Sequence, residues 1–229
     1  MIESTATEAV RRRSRLHGAL ADPHRLAIVD ELIFSDRSPS ELRARLNLDS
    51  NLLAHHLDVL ERLNLIERSA SQGDRRRRYV RLVPGTLAGL GVGGSLRVGR
   101  VVFVCTENAA RSQLASALWN DICRTVPGCS GGTRPRKEVY AGAVAAAERR
   151  GLSLAGAQPG PIPERRARDL LITVCDRAHE ELKDEPDDRP HLHWSIPDPA
   201  AAVEPDAFDL AADLLDDRIR GLAPMVGRA

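Results

Sequence analysis

Cys105 and Arg111 stand with five residues between them in the segment VVFVCTENAARS, Val101 to Ser112, and Ser112 follows directly. A thiolate is a strong nucleophile, and a guanidinium is a planar, permanently charged fork that grips two oxygens of a tetrahedral anion. The chemistry such a pair would serve is nucleophilic attack on a bound oxyanion. Two elements must position it. The β-branched and aromatic run Val101–Val104 predicts a buried strand ending at Cys105, and the apolar-periodic QLASALW predicts a helix opening near Arg111. In the tight loop between them, the backbone N–H groups of Thr106, Glu107, Asn108, Ala109 and Ala110 can converge on one point. The helix start adds its own unsatisfied N–H groups and positive dipole end. The field that binds an anion in such a cradle also favours thiolate over thiol. Ser112 is placed to hydrogen-bond the thiolate and Asn108 to brace the loop.

The rest of the second half alternates strand, loop and helix. Strands are expected at 170–174 and 191–196, and helices at 112–124, 139–150 and 205–222. That alternation argues for a parallel sheet with helices on both faces, which binds ligands at the carboxyl ends of its strands. Cys105, Cys175 and Asp198 would all lie at that edge. Cys-x5-Arg-Ser after a hydrophobic strand resembles the phosphate-binding loop of the low-molecular-weight protein-tyrosine phosphatases and of the related thiol-dependent arsenate reductases. The resemblance implies Cys105 as nucleophile, Arg111 as anion clamp and a further short strand at 128–133. It also implies that Asp198, between two prolines in HWSIPDPA, is the general acid that protonates the departing oxygen. Asp176 is the runner-up for that role and reads as the N-cap of the helix RAHEEL.

Three positions depart from the family pattern. Glu107 stands where phosphatase relatives commonly have glycine. Ala110 replaces a second loop cysteine, and Leu182 occupies the place of a relay cysteine seven residues after Cys175. Arsenate reduction would therefore need an external thiol reductant and no other cofactor. Cys123 and Cys129 are expected to be packed thiols. All four cysteines lie in the second half without a C-x-x-C pair, which suits a reducing cytoplasm. No 18-residue apolar run and no signal-peptide pattern occur, so no membrane partner is expected and a cytoplasmic location is.

Charge is uneven along the chain. Residues 1–97 hold 16 Arg and no Lys against 12 acidic residues, whereas the remainder holds 17 cations against 20 acids. The basic half points to nucleic acid. A helix over 5–20 carries an arginine cluster. Asp22-Pro23 and Ser38-Pro39-Ser40-Glu41 are helix starts, the second a capping box. Leu26, Ile28, Val29, Leu32 and Ile33 supply the apolar side of the first of these helices. In SNLLAHHLDVLERL, Leu53, Leu57 and Leu60 share one helical face and Asn51, Ala54, His55 and Asp58 the other. Ser50, Asn51, Ala54 and His55 are the residues such a helix could present to base edges. β-like runs at 65–68 and 77–82 follow, and Arg75, Arg76, Arg77 and Arg78 lie where a hairpin tip would meet phosphates.

Helix, helix, recognition helix and basic hairpin make a winged helix. ADPHRLAIVDEL, SPSELRARL, NLLAHHLDVLERLNLIER and GDRRRRYVRL are similar to the ArsR family of winged-helix repressors over nearly all of 15–83. That resemblance implies a homodimer on a double-stranded DNA operator. This half lacks the cysteines with which family members sense thiophilic metals. No metal is expected elsewhere either: adjacent His55 and His56 point about 100° apart, and His179, His191 and His193 repeat no three-ligand spacing. Residues 84–99 are glycine-rich and read as a linker of 16 residues, spanning on the order of 20–25 Å. Gly89-x-Gly91-x-x-Gly94 matches a dinucleotide fingerprint only literally, since no strand leads in and no helix follows.

The expectation is two domains: a mainly α winged helix-turn-helix over 1–83 and an α/β parallel-sheet, low-molecular-weight phosphatase-like fold over 100–229. The function expected is an ArsR-type regulator fused to an arsenate reductase-like enzyme acting on arsenate or phosphate. The alternatives are a non-catalytic domain that senses the same anions, and a protein-tyrosine phosphatase. The scarcity of aromatic residues offers few ring-stacking walls and ranks the phosphatase lower.

Overall fold

The computed structural model describes residues 2–83, 86, 96–182 and 191–228, with the side chains of 2–9 and 12 excepted. The chain divides into two compact units, one of Met1–Ala70 with Arg77–Gly93 and one of Ser71–Arg76 with Gly94–Ala229. Among the described residues no helix is long and apolar enough to cross a membrane.

The first unit contains α1 (Ile2–Leu20), α2 (Pro23–Phe34), α3 (Pro39–Leu46), α4 (Ser50–Arg62), β1 (Ile66–Ala70) and β2 (Arg78–Leu82). Three of its helices begin on side-chain caps. The Asp22 carboxylate accepts from the N–H groups of His24 and Arg25, both at 3.0 Å. Ser38 and Glu41 form the reciprocal capping box, and Asp49 accepts from Asn51 and Leu52. These bonds satisfy N–H groups that a helix start otherwise leaves orphaned. Leu53, Leu57 and Leu60 of α4 close on Ile28, Val29 and Leu32 of α2 and on Leu42 of α3 to form the core.

The apolar side of α2 is narrower than its sequence suggests: Leu26 is 39% exposed and Ile33 only half-buried. Both lie about 100° off the centre of the buried stripe at 3.6 residues per turn. β1 and β2 pair antiparallel, Ile66 opposite Leu82 and Ala70 opposite Arg78.

The second unit contains β3 (Leu96–Val98), β4 (Arg100–Cys105), α5 (Arg111–Ile122), β5 (Gly128–Gly132) and α6 (Ala141–Glu148). It continues with β6 (Asp169–Thr173), α7 (Asp176–Leu182), β7 (His191–His193), α8 (Ala207–Leu222) and β8 (Val226–Arg228). Its main sheet runs β5-β4-β6-β7, every pair parallel. Central β4 is buried from Val101 to Cys105, and Phe103 meets the rings of Trp119 and Trp194 at 6.0 Å each. Arg100 and Asp169, opposite each other in register, form an ion pair that fastens the entry ends of β4 and β6. Burial alone would raise the Asp169 pKa, but the hydrogen bonds from Arg100 and the Arg166 amide bring it below the usual carboxylate value.

The linker reading of 84–99 needs correcting at its end. Leu96–Val98 form a strand, β3, parallel to β8, with Leu96 opposite Val226 and Val98 opposite Arg228. Its Leu-Arg-Val alternation, with Val98 buried and Arg97 exposed, fits a short strand; the glycines before it hid the signal. Residues 84, 85 and 87–95 of that reading lie outside the described residues.

Candidate functional site

β4 delivers Cys105 as its last residue at the carboxyl edge of the sheet, and α5 begins six residues later at Arg111. The loop between them is shaped by a segment further along the chain. The carbonyls of Cys105, Thr106, Glu107 and Ala109 accept from the N–H groups of Thr133, Arg134, Arg136 and Tyr140, at 3.2, 2.8, 3.0 and 2.9 Å. Across a trans peptide the next N–H points opposite to the carbonyl. With those carbonyls drawn outward, the N–H groups of Thr106, Glu107, Asn108 and Ala110 face the concave side. The Asn108 N–H reaches Cys105 Sγ at 3.1 Å. Ala110, at the N-cap of α5, makes no side-chain cap, so the dipole end of that helix stays open to an anion.

Asn108 holds this shape. It sits in the left-handed region at φ 50°, which asparagine tolerates better than most residues. Its Nδ2 donates to Ser112 Oγ at 2.8 Å, and its Oδ1 accepts from Gln113 Nε2 at 3.1 Å and the Gly160 N–H at 2.9 Å. Ser112 Oγ in turn lies 3.1 Å from Cys105 Sγ. Gly132 packs beneath: a Cβ there would stand 2.8 Å from the Thr106 carbonyl oxygen and 2.9 Å from the Asn108 nitrogen.

Arg111 is buried. Its Nη2 pairs with Asp198 Oδ2 at 2.9 Å and its Nη1 donates to the Ile196 carbonyl at 3.1 Å. Burial pulls its pKa down, yet Cys175, Asp198, Cys105 and Asp176 more than reverse this and leave it raised. Cys175 is fully buried; its Sγ lies 3.4 Å from Thr106 Oγ1 and accepts the Ala178 N–H at 3.4 Å. Burial, together with the neighbouring Cys105, pushes its thiol pKa up. Thus Cys105, Arg111, Asp198 and Cys175 do gather at one sheet edge.

One sequence expectation changes here. Asp176 does not stand before α7 as a cap but is its first residue, and its buried carboxylate lies 3.2 Å from His193 Nε2. Burial raises its pKa, and the bond to His193 together with other donors lowers it further, to a net depression. Glu107, whose charge could oppose an anion, is engaged by two other side chains. Its Oε2 accepts the Tyr140 hydroxyl at 2.8 Å and lies 3.7 Å from Arg136, whose guanidinium stacks 4.4 Å from the Tyr140 ring centre. Sequence reasoning missed Tyr140, Arg136, Gln113 and Gly160. Of these only Gln113, beside Ser112, sits near enough in the chain to have been noticed.

In the first unit, Ser50, Asn51, Ala54, His55 and Asp58 are exposed along one side of α4 while Leu53, Leu57 and Leu60 are buried. Ser50 Oγ accepts from Arg43 Nη1 at 3.2 Å. Arg77 and Arg78 are exposed too, as are Arg75 and Arg76 of the Ser71–Arg76 stretch grouped with the second unit.

A thiol under inward-facing amides, at the end of a parallel strand and beside a buried arginine, defines a phosphatase-type oxyanion fold. The sequence model of the low molecular weight phosphotyrosine protein phosphatase matches residues 100–229, more than half of the chain, and the chain belongs to that family. A helix-turn-helix domain model matches residues 20–69, from the end of α1 into β1. The protein is thus a helix-turn-helix domain joined to a low-molecular-weight phosphatase fold. Among solved structures it is similar to arsenate reductase from Archaeoglobus fulgidus DSM 4304, at 27% identity over 55% of this chain and 99% of that one, TM-score 0.46. It is also similar to the tyrosine phosphatase Wzb from Escherichia coli K30 in complex with sulphate, at 24% identity over 56% and 97%, TM-score 0.50. A third similar structure is a YwlE mutant from Bacillus subtilis, at 22% identity over 55% and 96%, TM-score 0.49. No curated protein matches this chain.

Proposed function

We propose that the second unit is a thiol-dependent enzyme acting on a small tetrahedral oxyanion, of the arsenate reductase type, and that the first unit is an ArsR-type DNA-binding regulator working as a cytoplasmic homodimer. The observation that carries the enzyme reading is the joint geometry of Cys105, held by the Asn108 amide and Ser112, and Arg111, buried and paired with Asp198.

In this reading the loop amides and Arg111 hold three oxygens of the anion, and the Cys105 thiolate attacks the central atom in line. An As–O bond breaks as the S–As bond forms, and Asp198 gives its proton to the departing oxygen, which leaves as water. An external thiol then attacks Cys105 sulfur. The S–As bond breaks with its electron pair passing to arsenic, arsenite departs, and Cys105 is left in a mixed disulfide that a second thiol reduces. Arsenate is favoured over an aryl phosphate by Tyr140. Its hydroxyl is bound by Glu107 and Arg136 covers one face of its ring, which leaves less of it to a substrate ring.

The test is turnover of arsenate and of an aryl phosphate by the purified protein with a thiol reductant. Cys105→Ser is expected to abolish turnover while leaving anion binding intact, and turnover persisting in that variant would sink the proposal. Anion binding without turnover by the natural protein would make the domain a sensor instead. For the first unit, the exposed face of α4 and the exposed Arg77 and Arg78, next in the chain to Arg75 and Arg76, support contact with a duplex. Arginine–phosphate contacts release counterions, so duplex affinity should fall steeply between about 50 and 200 mM salt. A flat response would contradict the hairpin's role.

A further inference from the structure

Away from the oxyanion loop, three side chains of the first unit converge where α1 gives way to α2: Asp22, His24 and His56. Asp22 Oδ1 lies 3.8 Å from His24 Nδ1 and 3.8 Å from His56 Nδ1. One ligand atom from each residue lies within 4.8 Å of the other two. The two imidazoles are stacked, centres 5.2 Å apart and planes 23° from parallel. His56 projects from α4 into this corner; it is 4% exposed, and neither of its ring nitrogens makes a hydrogen bond. A buried imidazole with both nitrogens unanswered is costly unless something binds it.

We propose that Asp22, His24 and His56 form a binding site for a divalent first-row transition metal of the zinc(II) class, with solvent completing the coordination. Two imidazoles and one carboxylate are the donors such ions take, with metal–ligand distances of about 2.0–2.2 Å. Ligand atoms around a tetrahedral ion then sit about 3.4 Å apart. The two separations from Asp22 Oδ1, 3.8 Å each, need little contraction; the one between the imidazole ligand atoms lies within 4.8 Å, and the half-exposed His24 ring can close it by rotation. One carboxylate against a divalent ion leaves the site positive, and Arg25 Nη1 is 3.9 Å from the other Asp22 oxygen. The ring of His55, 5.6 Å from that of His56, is turned edge-on at 64° and is no part of the set.

Sequence reading missed the site because His56 is more than thirty residues from the other two, while the adjacent His55 drew attention to a pair that diverges. An ion here would tie the start of α2 to the middle of α4.

Cobalt(II) serves as the probe, added to full-length, untagged, chelator-treated protein. The expected result is one cobalt per chain, with visible ligand-field bands of tetrahedral strength, no thiolate-to-cobalt charge-transfer band, and displacement by zinc(II). His24→Ala, an exposed position that leaves the core intact, should weaken binding by at least about tenfold. Asp22→Asn, which keeps a capping side chain, should do the same. Absence of cobalt uptake would overturn the proposal. So would a spectrum dominated by thiolate charge transfer, or wild-type affinity in the His24→Ala and Asp22→Asn variants.

Discussion

The two units handle charge in opposite ways. In the first, α2, α3 and α4 begin on Asp22, Ser38 and Asp49, whose side chains answer the helix's own N–H groups. Most of its ion pairs, such as Arg45 with Glu31 and Arg68 with Asp58, lie at the surface over a leucine core. In the second, α5 begins on Ala110 with no cap, and the buried interior holds Arg111, Asp169, Asp176 and His193. A helix that caps itself has no use for an anion, whereas one left open beside a buried guanidinium is built to receive one. What the first unit spends on stability at its helix starts, the second leaves available for binding.

The contrast can be broken in three places. The largest effect is expected at Asp169→Asn, which leaves Arg100 buried without its charge partner and should cost the second unit about 3–5 kcal/mol in a denaturant titration. Because the Asp169 pKa is lowered in the folded state, its contribution is fully present above the ordinary carboxylate value and is lost as pH falls through the lowered one. The natural protein should therefore lose stability at acid pH with a steeper slope than the variant.

Next comes Ala110→Asp, which would give α5 the kind of cap that α4 has. It should lower phosphate or arsenate affinity by about tenfold or more, roughly 1–2 kcal/mol, by placing a carboxylate at the open dipole end. Unchanged affinity by calorimetry would mean that the open helix start plays no part. The smallest effect is the reverse change, Asp49→Ala. Uncapping α4 should cost about 1 kcal/mol in thermal unfolding and leave anion binding untouched.

The same contrast explains what could be read from the sequence. Caps and helical faces in the first unit are local: Ser38 finds Glu41 three residues on, and Leu53, Leu57 and Leu60 recur at helical spacing. The order Cys105 to Ser112 is local as well, so the strand, loop and helix were legible, as was the gathering of Asp198 and Cys175 at the sheet edge from parallel topology alone. Contacts that cross the chain carry no such signal. Tyr140 meets Glu107 from 33 positions away, and Gly160 reaches Asn108 from 52. β3 was hidden by the glycines before it and by its partner lying at the far end of the chain. The orientation of Glu107 could not be read because nothing near it in sequence shows what holds it.

The outward-drawn carbonyls of the Cys105–Ala109 loop have a consequence for the order in which the protein is made. Their partners, Thr133 to Tyr140, leave the ribosome after Cys105 and Arg111 have already emerged. A nascent chain that ends at α5 owns the thiol and the guanidinium but has nothing to turn the loop's amides inward. Closing the loop must wait for Tyr140, and reactivity toward an oxyanion must wait longer, for Gly160 that braces Asn108 and for Asp198 that pairs with Arg111, so a series of stalled chains should stay silent until Asp198 has emerged.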